Sequence, residues 1–458
     1  MKSTVLVSSL LLLLLSTLAY GASPVPLVYQ PLVPGTVAPG GSGFSLTVNG
    51  ANFVTGALVQ WNGSTRVTQF VSASQLKANI RAADIATAGT ASIQVLNLGT
   101  PRPQSNIVFF PISTVRTNLT FSSSALASDG NPNSLATGDF NHDGILDLAV
   151  CKDLTGRVSI LLGTGGGAFV FSADYPTFGF CNALILGDFN GDHSLDVAVS
   201  NSSVVAVLLG RGDGRFQAGV PAPVGMMPED LFAADFNADG LLDLAVANFA
   251  SGSVSVLLGK GDGSFQPHVD YIVGDGVHGV TAADFDGDGK LDLAVAAERT
   301  NNVFILRGNG DGTFLTGAPF AGGINSSFVS AADFNADGKL DLAVSDLNPL
   351  TYPLSTLLGN GDGTFQTRMG SPAMAYGVPQ IADLNVDGKL DVVLTNSSGP
   401  AVLLGKGNGR FQAVLNFSTG SATAVTVGDF NNDGLLDLAV GGYSSQNIVI
   451  LLQTSTGN

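Results

Sequence analysis

The chain has 458 residues, 45% of them hydrophobic and only 12% charged, with 36 acidic residues against 19 basic ones and a net charge of −17. That composition supplies a sizeable core and argues against nucleic acid as a partner. The two cysteines are too few for a fold built on disulfides.

Residues 1–22 read as an export signal: Lys2, an apolar run through Leu15, then Ala19, Gly21 and Ala22 ahead of Ser23-Pro24. No cysteine follows the run to take a lipid, no second apolar stretch approaches spanning length, and no anchor tail precedes Asn458. The expected product is soluble and monomeric, secreted or at the cell surface, and periplasmic where an outer membrane exists. Export permits one bridge between Cys151 and Cys181, and the alternative is two buried thiols behaving as small hydrophobes.

Residues 23–112 show strand-like alternation and no acidic motif. Phe44, Leu46 and Val48 alternate with polar neighbours, and Val59, Trp61, Ile93 and Val95 continue the pattern, which predicts a small β-sandwich. Trp61, the single tryptophan, reads as a core residue rather than a ligand platform. The run GGSGFSLTVNGANFVTGALVQWNG resembles the IPT/TIG family of immunoglobulin-like domains, and that resemblance implies a spacer or interaction module.

Residues 113–458 are dominated by an acidic motif, Asp-x-Asn/Asp-x-Asp-Gly-x-x-Asp, which returns seven times at spacings of 46 to 50 residues. Repetition of this length marks supersecondary units that must stack or close on one another. Each unit carries four short apolar runs. In repeat three they are Leu231–Ala234, then Leu242, Leu244 and Val246, then Val254, Val256 and Leu258, and last Phe265. The third and fourth runs are joined by Gly-rich hairpins such as GKGDGSF from Gly259. Four strands every ~45 residues is the blade pattern of a β-propeller, here with seven blades. The last repeat stops after Ile448–Leu452 without its hairpin and fourth strand. Phe121 lies 18 residues before Asp139, as Phe365 lies before Asp383, so the Leu119–Ala125 segment is expected to complete the seventh blade and close the ring.

The motif positions one, three, five and nine are Asp139, Asn141, Asp143 and Asp147; Asp188, Asn190, Asp192 and Asp196; Asp235, Asn237, Asp239 and Asp243; Asp284, Asp286, Asp288 and Asp292; Asp333, Asn335, Asp337 and Asp341; Asp383, Asn385, Asp387 and Asp391; and Asp429, Asn431, Asp433 and Asp437. These positions hold 22 of the 36 acidic residues, so the charge belongs to sites. A turn needs one or two Asp or Asn residues, whereas crowding three carboxylates without a cation is unfavourable. Three or four carboxylate and amide oxygens with the carbonyl at position seven suit a hard cation, and calcium is the expected ion at most of the loops, up to seven, with magnesium, which wants a smaller octahedral shell, the weaker choice. Thiol and imidazole ligands are missing from the pattern, which argues against zinc and copper. The second loop departs from the rest, because His193 replaces the turn glycine.

The runs DFNADGLLDLAV and LLGKGDGSF resemble the FG-GAP/VCBS-type repeat of integrin-like β-propellers. That resemblance implies that the loop positions are calcium ligands, with the carbonyl of Ile145 joining the first set. It also implies roles in adhesion or lectin-like recognition, and occasionally in polysaccharide chemistry, with ligands on the face away from the calcium loops.

No nucleophile elbow, zinc motif, phosphate-binding loop or paired-Glu arrangement stands out, and no catalytic residue is assigned. Arg211-Gly212-Asp213 is the repeat hairpin with Arg at its free position rather than an adhesion motif. The least repetitive connections carry Tyr175, Phe178, Phe180, Tyr271, His278, Tyr352 and Tyr376, which are the candidate stacking platforms. The expectation is therefore an exported, calcium-stabilised binding or adhesion protein whose propeller recognises a glycan or a surface protein. A polysaccharide lyase or hydrolase built on the propeller is the alternative, and a scaffold subunit of an envelope complex is a third class.

Overall fold

The computed structural model describes residues 23–99, 102–153, 155–347, 354–371, 375–442 and 446–454; the expected leader and Tyr352 lie outside them. The fold is all-β, and among the described residues it is organised as nine sheets, with no helix long and apolar enough to cross a membrane.

Two of the sheets come from the N-terminal segment. One orders Leu27–Val28, Phe44–Ala51, Gln75–Ile80 and Thr68–Ser72; the other orders Ser64–Thr65, Leu58–Trp61, Gly89–Leu96 and Val108–Ile112. The alternating residues Leu46, Val48, Val59, Ile93 and Val95 all point into one core, where Trp61 packs 5.3 Å from Phe110 between ring centres. Trp61 is thus a core residue.

The other seven sheets follow the seven repeats. The first repeat runs Pro132–Gly138, Asp147–Lys152, Arg157–Gly163 and Phe169–Pro176, each strand antiparallel to the last. Every second strand begins at the ninth motif position and has six buried residues, as in Asp243–Asn248. These strands read as continuous apolar runs because neighbouring sheets cover both of their faces. The last sheet orders Ala422–Gly428, Asp437–Gly442, Asn447–Gln453 and then Phe121–Ala127, with Phe121 opposite Gln453. The strand missing from the final repeat is supplied from the start of the array.

First strands of successive repeats touch one another in order, and the seventh, Ala422–Gly428, touches the first, Pro132–Gly138. A repeated interlock accompanies this circuit. The Gly214 N–H of the second hairpin donates to the Phe140 carbonyl of the first acidic loop, and Gly263, Gly312, Gly363 and Gly409 repeat the bond to Phe189, Phe236, Phe285 and Phe334. Gly167 of the first hairpin reaches Phe430 of the seventh loop. At the remaining junction the Gln453 side-chain amide donates to the Leu384 carbonyl instead. Edge-to-face pairs such as Phe140 with Phe216 and Phe169 with Phe430 seal the same junctions, each contributing about 0.5–1.5 kcal/mol beyond burial.

The N-terminal sandwich does not stand off as a spacer. Leu27 and Ala51 enter the apolar core that Phe236, Leu293 and Phe314 build between repeats three and four. The Asp333 N–H donates to the Gln30 carbonyl, and the Arg116 N–H donates to the Asn385 carbonyl. A void of about 170 Å³ remains between Leu32, Phe109 and Pro111 of the N-terminal segment and Thr137, Ile381 and Val427 of the first strands. The sandwich is therefore seated on the face that carries the acidic loops. No sequence pattern announces this, because the contacts are made by main-chain groups and by scattered side chains of ordinary type, such as Leu27, Ala51 and Asn52.

Candidate metal centres

Each acidic loop joins the first strand of its sheet to the second, and its own side chains fold it. In the first loop Asp139 accepts the Asp143 N–H on Oδ1 (3.1 Å) and the Gly144 N–H on Oδ2 (2.9 Å). Asp143 Oδ1 accepts the Ile145 N–H (2.8 Å). Two residues per loop adopt positive φ, the fourth and the sixth. His193 takes the sixth position of loop two at φ 70°, so the imidazole-bearing residue adopts the glycine geometry there.

The ninth position is built differently. Asp147 is fully buried, and its oxygens accept the Phe140 N–H (2.8 Å) and the Gly163 N–H (2.7 Å). The other six repeats keep both bonds, with Asp243 accepting from Phe236 and Gly259 and Asp437 from Phe430 and Gln453. This carboxylate thus ties the acidic loop to the end of the third strand. Burial pushes its titration up, to about 6 for Asp147, about 7 for Asp196, Asp292 and Asp341, and about 8 for Asp243 and Asp437, while the backbone donors pull the other way and nearby loop carboxylates add to the rise. Asp391 moves in the same direction for the same reasons. Sequence reading assigned position nine to the metal alone and missed this main-chain role; the phenylalanine at position two of six loops, paired with the phenylalanine that ends each hairpin, was the available signal.

Among the described residues, one loop brings three acidic oxygens within 4.8 Å of one another: Asp284, Asp286 and Asp292 of repeat four, a group that could hold a metal ion. This is the loop in which position three is Asp rather than Asn. In five of its sisters the Asn amide instead donates to the position-five carboxylate, as from Asn237 to Asp239 (2.9 Å). The donor set is carboxylate oxygen, which fits a hard cation and not a thiophilic one. Two cationic groups stand near the fourth loop: Lys290 pairs with Asp288 (3.1 Å), and Arg307 lies 3.8 Å from Asp286.

Several loops also touch the N-terminal sandwich. Asp235 Oδ2 accepts the Val25 N–H (2.8 Å), the Asp284 N–H donates to the Tyr29 hydroxyl (3.0 Å), and His193 meets Gln104 (3.2 Å).

On the opposite face, Cys151 and Cys181 are joined in a disulfide that links the end of the second strand of repeat one to the entry of repeat two. The candidate aromatics divide. Tyr175 and Tyr271 pack inside the junctions, their hydroxyls accepting the Phe216 and Phe314 N–H groups. Tyr376 donates to the Ala422 carbonyl, and His278 is wedged between Phe249 and Phe328. Phe178 and Phe180 remain more than half exposed.

The FG-GAP-like repeat family matches residues 139–199, 188–246, 235–295, 284–344 and 383–440. No curated protein is similar to the chain in sequence. Among solved structures, that of BBS1N in complex with ARL6DN shares 14% identity over 75% of this chain and 99% of that chain, with a TM-score of 0.53. A lectin of Agrocybe aegerita that recognises non-reducing terminal N-acetylglucosamine shares 17% identity over 80% and 95% of the two chains, with a TM-score of 0.45. A rhamnogalacturonan lyase of Bacillus licheniformis shares 14% over 94% and 91%, with a TM-score of 0.44. Likeness at this identity speaks to the propeller-like all-β fold alone.

Proposed function

The chain belongs to the FG-GAP-like repeat family, and from that premise we propose that it is an exported, calcium-stabilised binding protein that holds a surface glycan or protein on the face opposite its acidic loops. In this reading residues 1–22 are a leader, residues 23–112 an immunoglobulin-like cap of the IPT/TIG type, and residues 113–458 a monomeric seven-bladed propeller of VCBS-like repeats. Calcium is held by the oxygens of positions one, three, five and nine, with the fourth loop the most acidic. Its role is to neutralise buried carboxylates rather than to catalyse. The disulfide is consistent with a protein that works outside the reducing cytoplasm.

The observation that carries the assignment of the binding face is the seating of the sandwich on the acidic loops, which leaves the other face open. That open face carries the variable connections and the exposed Phe178, Phe180, Met226 and Met227. Connections of this kind, held by a rigid scaffold, are where recognition is usually placed.

A glycan array probed with the mature protein, with calcium and with EGTA, tests the reading. Retention of a defined glycan set supports it. Release of reducing or unsaturated ends from polysaccharides, abolished by substitutions on the open face, would replace it with the enzymatic alternative.

A further inference from the structure

The first strands of six repeats carry a register break where they enter from the open face, and in five of them one residue is skipped: Asn133, Glu229, His278, Ser327 and Thr423. Such bulges re-aim a side chain at the rim of a barrel-like array. Some of these residues hand a hydrogen bond to the next repeat: Thr423 donates to the Pro132 carbonyl, Asn133 to the Asn182 carbonyl (3.1 Å), and Asn182, at the equivalent entry of repeat two, to the Pro228 carbonyl (2.9 Å). The relay stops at Glu229, whose carboxylate has no side-chain hydrogen bond among the described residues and is raised in pKa by its burial and by Asp153 and Glu298 nearby.

Glu229 lines an open cleft of about 420 Å³ with Asp153, Phe180, Asn182, Ser202 and Met227, which come from repeats one, two and three and their connections. Two of these residues adopt positive φ. Met227 directly precedes the first strand of repeat three at φ 54°, where repeats four and five have Gly276 (φ 74°) and Asn325 (φ 60°). Ser202 sits at φ 27°. A bulky apolar residue in the left-handed region is strained, and Met227 is 46% exposed, so it gains little from burial in return. Asn201, the neighbour of Ser202 in the chain, is fully buried, and among the described residues neither of its amide atoms has a partner.

The charge of the cleft restricts what it can hold. Among the described residues its lining has two carboxylates and no basic residue. The nearby cations are committed elsewhere: buried Lys152 pairs with Asp129 and Asp174, and Arg299 pairs with Asp275 while lying over Phe249. Carboxylate and amide groups beside an exposed ring match the hydroxyls and the apolar face of a pyranose, whereas a uronate would meet uncompensated negative charge.

Resting on the binding reading above, we propose that this cleft is the recognition subsite and that it takes a neutral or amine-bearing sugar unit and rejects uronic acids. The test is an array of neutral, glucosamine-terminated and uronate-terminated oligosaccharides probed with wild type, Phe180→Ala, Met227→Gly and Glu229→Gln. Wild type should be retained on neutral or amine-bearing spots and not on uronates. Phe180→Ala should weaken retention about tenfold, and Glu229→Gln should cost amine-bearing sugars more than neutral ones. Met227→Gly should lose affinity with an unchanged or higher melting temperature, which separates a ligand contact from a folding role. Retention unaltered in all three variants overturns the subsite while leaving glycan binding standing. Preference for uronates overturns the charge argument. A wild type that binds no glycan overturns both the subsite and the reading beneath it.

Discussion

The two faces of the repeat array are built on opposite rules. On the acidic-loop face every repeat presents the same turn and the same buried ninth-position carboxylate, and six of the seven junctions carry the same glycine-to-carbonyl interlock. On the open face the residue that ends each second strand is Lys152, Asn201, Asn248, Ala297, Asp346, Asn396 and Gly442 in turn. The first face repeats because the same junction must be closed at each step around the circuit. The second varies because its ties between repeats, such as the Asn133 and Asn182 amides and the Cys151–Cys181 disulfide, differ from junction to junction, and that freedom leaves it available for recognition. Uniformity thus reports architecture, and departure from it reports use.

If cations hold the uniform face, their removal should produce the largest effect of any single perturbation. At millimolar calcium, a site with a dissociation constant near 10⁻⁴ M contributes about 1.4 kcal/mol. Several such sites acting together should separate melts in calcium and in EGTA by ~10 °C or more. Coincident melts in the two buffers would mean that main-chain hydrogen bonds alone hold the loops, and the contrast between the faces would then have no ionic basis.

The open face has a covalent tie instead. Closing a loop with a sequence separation of 30 residues, the Cys151–Cys181 disulfide should stabilise by about 3 to 4 kcal/mol in the chain-entropy account. The double variant Cys151→Ala, Cys181→Ala should lose that amount in urea denaturation, and wild type in reductant should match it. The loss should be the same with and without calcium, since the bridge lies on the face away from the loops. A loss that depends on calcium would couple the two faces.

Within the uniform face, two carboxylates of one loop can be set against each other. Asp243 is fully buried and holds the Phe236 and Gly259 N–H groups, whereas Asp239 lies in the loop itself and accepts the Leu241 N–H. Asp243→Asn should cost about 1–3 kcal/mol in either calcium or EGTA, because it leaves a buried main-chain donor unpaired. Asp239→Asn should cost at most ~1.4 kcal/mol, and only in calcium. Equal, calcium-dependent losses would return position nine to a purely metal-binding role.

The repeat period, the four strands and the loan of Phe121–Ala127 to the last sheet were all legible, because apolar alternation and motif spacing are local properties of the chain. The missing hairpin of repeat seven pointed to the loan; its substitute donor, Gln453, carries no such signal, since a glutamine at a strand end is unremarkable until the Leu384 carbonyl is found beside it. Docking of the sandwich was illegible for the same reason. Val25 contributes a main-chain N–H and Tyr29 a hydroxyl, and neither departs from what an ordinary strand edge offers. The acidic loops were legible as candidate cation sites, but the division of labour between positions five and nine depends on which main-chain donors face each carboxylate. The cleft at Glu229 became visible only when strand register exposed the skipped residue.

The smallest expected effect concerns Asp230, the neighbour of Glu229, which accepts the Leu231 N–H (2.9 Å) and the Val280 N–H (3.1 Å). Desolvation raises its folded pKa from the ordinary 3.8 to about 7, with Glu229 adding to the rise and the two backbone donors opposing it. Between these values the folded protein holds a proton that the unfolded chain has released, so stability from this group falls as pH rises through that window. Asp230→Asn removes the titration while keeping an acceptor for one of the two N–H groups. Compared in saturating calcium, so that the acidic loops are pinned, the variant should gain on wild type in urea midpoint between pH 5 and pH 8. A gap that stays constant across that range would show that Asp230 is ionised throughout. The open face would then carry its charge as comfortably as an exposed surface does, and the contrast with the buried carboxylates of the acidic loops would be sharper still.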